Sequence, residues 1–123
     1  MPVIKYQLLN RTDKIRPFFM RGNFYTSKKW LRKREHILRR DKYIDQILKR
    51  YGKMREGNIV HHIFPRDQFP EYEFCDWNLI TVSLATHNTL HDRNTNALTD
   101  EGMCLLIRTA RKQGIENRIP ETD

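Results

Sequence analysis

The chain has 123 residues, of which 38% are apolar and 11% aromatic, and a formal net charge of +8. That length suits one folded domain with a modest core and excludes two, and the aromatic content argues against a disordered chain. No apolar run approaches a membrane span and "MPVIKYQLLNRTDK" lacks the apolar centre of a signal peptide, so a cytoplasmic protein with no membrane partner is expected.

Charge is unevenly spread. Residues 1–56 carry 17 Lys and Arg against 5 Asp and Glu, a balance of +12, and the remainder carries 6 against 10, a balance of −4. A basic front half joined to a near-neutral back half fits a polyanionic partner such as nucleic acid. Cys75 and Cys104 form no CxxC and are expected to be reduced, mostly buried thiols.

Residues 1–23, around "RPFFMRGN", show no period and read as an irregular basic arm with one short ordered piece packed through Phe18 and Phe19. "TSKKWLRKREHILRRD" then opens with Thr and Ser as cap candidates and sets Trp30, Leu31, Arg34, Ile37 and Leu38 at helical spacing. Eight of the fifteen residues from Lys28 to Lys42 are basic, so this helix offers Lys28, Lys29, Arg32 and Arg34 to phosphates. A second helix fits "KYIDQILKRYG", with Ile44, Ile47, Leu48 and Tyr51 as its stripe and Gly52 as its stop. "IVHHIF", bounded by Pro65, reads as a strand, "RDQFPEYEFCD" as a loop and "WNLITVS" as a second strand. Ser83 is expected to cap a helix through "LATHNTLHDRN". "TDEGMCLLIRTARKQG" reads as a closing helix between Thr99 and Gly114, and "IENRIPETD" as a frayed tail. Phe74 and Trp77 are expected in the core, with Asn88 and Thr89 facing solvent.

The chain has 5 histidines, and four of them fall at positions 61, 62, 87 and 91. His87 and His91, four apart on the predicted helix, project from one face and can share a metal ion. His61 and His62 are adjacent in a strand, where neighbours normally point to opposite faces. A strand that twists or ends there is therefore expected. His36 reads as an ordinary surface histidine.

The segments "VHHIFP", "WNLITVS" and "THNTLH", in that order, resemble the HNH endonucleases, whose fold is called the ββα-metal or His-Me finger. "FYTSKKWLRKREHILRRDKY" is similar to the leader of small phage-encoded members, at Trp30, Arg34 and Asp41 among other positions. The resemblance covers roughly residues 24–94. It implies an α+β fold in which a ββα-metal core, about residues 57–94, lies within a nuclease domain of residues 24–114 flanked by basic helices, with residues 115–123 as a tail. It also implies that His61, His87 and His91 hold one divalent ion, that His62 is the general base, and that Asn78 holds the loop and thereby orients the base. DNA is the implied partner, in a bacterial host cell if the chain is phage-encoded. The leader further points to the packaging terminase. Arg66 and Arg93, each just past a motif histidine, are candidates for phosphate contacts.

The chemistry of these residue types fits that reading. A neutral imidazole with a pKa of about 6.5 can deprotonate water near neutral pH, and a divalent ion places positive charge on a developing phosphorane. A three-imidazole site favours Zn, Ni, Co or Mn over Mg. Many relatives carry two CxxC pairs for a structural zinc; here those stretches read "YIDQIL" and "SLATHN", so no structural zinc is expected. Two other readings compete: a non-catalytic basic nucleic-acid-binding module stabilised by zinc, and histidines that serve only in packing. Site preference, nicking or double-strand cleavage, and a monomeric or dimeric state are not legible in the residues.

Overall fold

Ser83 and Thr99 determine where the two central helices begin. The Ser83 hydroxyl accepts from the Thr86 N–H and the Thr99 hydroxyl from the Gly102 N–H, which satisfies donors that a helix start leaves orphaned. The computed structural model describes residues 23–121; the expected arm before Asn23, with Phe18 and Phe19, lies outside the described residues. The chain divides into two compact units, Met1–Glu35 and His36–Asp123. The architecture is α+β, and among the described residues it comprises five α-helices and a two-stranded antiparallel sheet. None of these helices is long and apolar enough to cross a membrane.

A short helix α1 (Asn23–Thr26) leads into α2 (Lys28–Arg40) through Ser27, whose hydroxyl donates to the Phe24 carbonyl and accepts from the Trp30 N–H. In the first unit Trp30 is buried and its ring meets those of Phe24 and Tyr25. Of the predicted stripe, Trp30, Ile37 and Leu38 are buried, whereas Leu31 is exposed.

The second predicted helix is shorter than its pattern. Lys42 and Tyr43 adopt left-handed backbone, φ 58° and 56°, and end α2 with a Tyr43 N–H to Leu38 carbonyl bond. Helix α3 covers only Gln46–Arg50, started by the Asp45 carboxylate, which accepts from the Leu48 N–H. Ile44 instead bridges to Glu56, and Tyr51 is exposed, so neither belongs to a helical stripe. Only Ile47 of the expected four packs against the main core.

Strand β1 (Ile59–His62) pairs antiparallel with β2 (Leu79–Val82), with His61 opposite Ile80 and His62 opposite Leu79. The strand ends at His62, with both histidines in regular register. The connection contains two 3₁₀ turns, Pro70–Tyr72 and Asp76–Asn78. Helix α4 (Leu84–Leu90) follows β2 directly, and α5 (Asp100–Gln113) closes the fold, ending at Gly114 with a left-handed φ of 71°.

Ile63, Phe64, Phe69, Val82, Leu90, Leu105, Leu106 and Ala110 form the buried core, with Trp77 packed against it. The segment after Gly114, expected to fray, instead makes a 3₁₀ turn over Glu116–Arg118 and packs Ile115 and Ile119 on that core. Two apolar side chains at one-turn spacing give these few residues enough buried area to dock. The thiols are also less buried than expected: Cys104 is exposed and Cys75 half-buried, and neither forms a disulfide.

Candidate metal centre

Strand geometry separates the two adjacent histidines. His61 is only 2% exposed and its ring meets those of His87 and His91, with centroids at 5.6 and 5.0 Å. The His87 and His91 rings are 5.1 Å apart. One nitrogen from each ring lies within 4.8 Å of the others. A tetrahedral ion with metal–nitrogen bonds of about 2.0–2.1 Å draws such nitrogens to roughly 3.4 Å of one another. The rings of His87 and His91 are half-buried, less enclosed than that of His61.

The three arrive by different routes. His61 comes from the last residues of β1 and His87 from the last turn of α4. His91 is not on the helix as expected: α4 ends at Leu90, and His91 is extended (φ −127°, ψ 143°) and bridged to Leu98. An exposed turn sets its ring. The Asp92 carboxylate accepts from the N–H groups of Asn94 and Thr95, Asn96 takes a left-handed φ of 61°, and His91 Nδ1 lies 3.2 Å from the Asn96 carbonyl. A carbonyl only accepts, so Nδ1 carries the proton, which in a neutral ring puts the lone pair on Nε2.

The chemical state of His61 matches a metal ligand. Burial, and then the neighbouring His91, His87 and His62, hold its pKa well below the ordinary value of 6.5, so the ring is neutral at physiological pH. Its Nε2 is buried with no hydrogen-bond partner. Among the described residues Thr81 Oγ1 is the only other buried side-chain atom in that position. A buried nitrogen without a partner is costly in the apo protein, and an ion shared with His87 and His91 would satisfy it. The residues therefore fit a divalent metal.

His62, 8% exposed, turns the other way. Its Nε2 is 3.1 Å from the Glu73 carbonyl, so the neutral ring carries its proton on Nε2 and its lone pair on Nδ1. That carbonyl belongs to the loop that Asn78 holds from inside. The fully buried Asn78 accepts from the Phe64 N–H at 2.7 Å and donates to the carbonyls of Phe64 and Tyr72, both at 3.2 Å. Its own carbonyl receives the Ile63 N–H.

The basic candidates are placed differently. Arg66 is half-buried and pairs with the Glu73 carboxylate at 3.0 Å, which spends its charge on the loop. Arg93 is exposed in the turn after His91. On α2, Lys28, Lys29 and Arg32 are exposed and Arg34 half-buried. His36, exposed as expected, lies 3.4 Å from Asp76.

Two groups that support the site were not singled out from the sequence for what they do. Arg40 forks onto the Asp41 carboxylate and also donates to the carbonyls of Asp76 and Leu79, gripping both ends of the turn that contains Asn78. Asp45 accepts from the N–H and hydroxyl of Ser83, both at 2.8 Å. It thereby joins "YIDQIL" to "SLATHN", the two stretches where cysteines are missing. Burial opposes ionisation of Asp45, but the hydrogen bonds from Thr86, Leu48 and Ser83 outweigh it and hold the pKa below the ordinary carboxylate value. An Asp at a helix start with a Ser at the next helix start is a visible signal, but the pairing of the two is not. Comparison of the chain with protein-family models, with curated proteins and with solved structures yields no match.

Proposed function

We propose that this protein is a metal-dependent endonuclease of the HNH type, hydrolysing DNA phosphodiester bonds with one divalent ion, and that β1, β2 and α4 are its ββα-metal core. The observation that carries the reading is the division of labour within the histidine pair. His61 has an unpartnered buried nitrogen and clusters with His87 and His91, while His62 sets its Nε2 on the Glu73 backbone carbonyl. A purely structural metal site has no use for the second arrangement.

His61, His87 and His91 would hold the ion, which would supply positive charge to the phosphate in the transition state. Nitrogen donors favour Zn, Ni, Co or Mn over Mg. His62 Nδ1 takes the proton from the attacking water while its Nε2–H stays on the Glu73 carbonyl, which stabilises the imidazolium that forms. Phosphorus gains the hydroxyl oxygen, the bond to the 3′ oxygen breaks, and that oxygen takes a proton from solvent, leaving 5′-phosphate and 3′-hydroxyl ends. Asn78 prevents the loop carbonyls from drifting. Arg93 contacts a flanking phosphate, and Lys28, Lys29, Arg32 and Arg34 of the first unit add charge that binds DNA, so binding is steeply salt-dependent. Arg66 belongs to the loop rather than to DNA.

Plasmid cleavage with a panel of divalent ions tests this directly. Wild type nicks or linearises DNA only with a suitable ion, and His62→Ala binds the same ion but loses cleavage. Undiminished cleavage by His62→Ala removes the mechanism.

A further inference from the structure

The connection from β1 to β2, residues 63–78, is sixteen residues long, with only two short 3₁₀ turns as regular structure. Connections of that length usually wander unless anchored. This one carries the carbonyl that orients His62. We propose that Arg118, in the C-terminal segment, is a positioning residue for His62, acting through this loop; the inference rests on reading His62 as the base.

Three contacts converge on Arg118. Its guanidinium carbon lies 5.1 Å from the Phe69 ring centroid and 5.7 Å from that of Tyr72, and the guanidinium pairs with the Glu71 carboxylate. Phe69 and Tyr72 are themselves near-parallel, 9° between planes, so one planar cation spans both rings. Arg118 is in turn held by Ile115 and Ile119, which pack against the core on either side of it.

The geometry of residues 69–73 turns this grip into orientation. Their side chains at 69, 71 and 72 go to Arg118. Their carbonyls at 72 and 73 go to Asn78 Nδ2 and His62 Nε2. The strip is thus held on both sides, and Glu73 follows immediately after Tyr72. The Tyr72–Glu73 peptide is held by the Glu73 N–H on the Pro70 carbonyl and by the Asn78 amide and the Cys75 N–H on the Tyr72 carbonyl, and Arg66 fixes the Glu73 side chain. Those four partners all lie within the loop and set its internal shape, whereas the aromatic clamp ties the strip to the C-terminal segment. His61, His87 and His91 make none of these contacts, so the clamp concerns the base and not the metal.

The test uses the full chain labelled with ¹⁵N-histidine and compares wild type with Arg118→Ala, Arg118→Lys and Glu71→Gln. Imidazole ¹⁵N spectra at pH 8 without metal read the His62 tautomer, DNA cleavage reads kcat and KM, and calorimetry reads Zn affinity. In Arg118→Ala the Nε2–H tautomer of His62 loses its dominance, kcat falls by about tenfold or more, and KM and Zn affinity stay within about twofold. Arg118→Lys recovers part of kcat, because it keeps the charge facing Glu71 without the planar stack. Glu71→Gln shows the same change in smaller degree, and with Arg118→Lys it carries the test if Arg118→Ala does not fold. An unchanged tautomer and kcat overturn the proposal. So does a loss confined to KM, which would make Arg118 a DNA contact. If wild type cleaves no DNA with any ion, the nuclease reading fails while the tautomer comparison still decides whether Arg118 positions His62.

Discussion

Two buried polar clusters flank the same small sheet and differ in how well they are satisfied. Asp41 and Asp45 are buried carboxylates whose oxygens are occupied: Asp41 receives Arg40 and the Thr81 N–H, and Asp45 receives Leu48 and both donors of Ser83. The histidine cluster is as deep at His61, yet its central nitrogen has no partner. Proteins rarely leave a buried polar atom unmatched, because each costs about 1–3 kcal/mol. The carboxylates of the first cluster are matched within the protein, although the Thr81 hydroxyl beside them is not. In the second, His61, His87 and His91 could hold a metal ion beside the unmatched nitrogen.

The sharpest way to break this contrast is to exchange the consequences. His62→Ala is expected to lower kcat by about 10²–10⁴ in a plasmid assay with metal affinity retained. His61→Leu, of similar volume, removes a ligand and an unsatisfied nitrogen together. Calorimetry should show divalent-ion affinity falling by about 100-fold or more, while denaturant unfolding of the apo protein should show stability unchanged or raised. A large loss of apo stability in His61→Leu would mean that the cluster is ordinary packing.

Asp45→Ala should behave in the opposite way. Removing the carboxylate strands the Leu48 and Ser83 donors, and urea unfolding should show a loss of about 3 kcal/mol. The folded protein should still bind Zn within about tenfold of wild type. The pH profile sharpens the point. Asp45 is held ionised below the ordinary carboxylate pKa, so its contribution is complete above the unfolded-state value and disappears as pH falls through the lower folded-state value. Thermal unfolding between pH 6 and 2 should therefore show a shallower acid limb for Asp45→Asn than for wild type.

Gly102→Ala tests a position that touches the second cluster indirectly. A Cβ there would sit 2.4 Å from the Leu90 carbonyl and 3.0 Å from the Leu98 side chain, on either side of the His91–Leu98 bridge. Backbone must move, so a loss of about 2 kcal/mol and a weaker metal site are expected together, by unfolding and calorimetry. The smallest effect concerns Tyr43, at φ 56°. Tyr43→Gly relieves a left-handed non-glycine residue and should change stability by no more than about 1 kcal/mol, in the stabilising direction, with metal affinity unaffected.

Local signals carried well into the structure. Ser83, Thr99 and Gly114 bound their helices as their residue types demand, and β1 stops at the histidine pair. The apolar period misled in two places. Ile44 and Tyr51 match a helix on paper, but Asp45 captures the Leu48 N–H and starts α3 late. His91 sits one residue beyond α4, and its ring joins the cluster from extended backbone.

What the residues alone determined is therefore chemistry and punctuation: which side chains can bind a cation or accept a proton, and where helices and strands must begin and stop. Caps, turns and alternation act within a few residues, so they can be read in order along the chain. Tertiary structure decided the pairings: His61 with His87 and His91, Asp45 with Ser83, His62 with the Glu73 carbonyl, Arg118 with Phe69 and Tyr72. Each of these joins residues far apart in sequence, and no local preference encodes a contact that exists only once the core has closed.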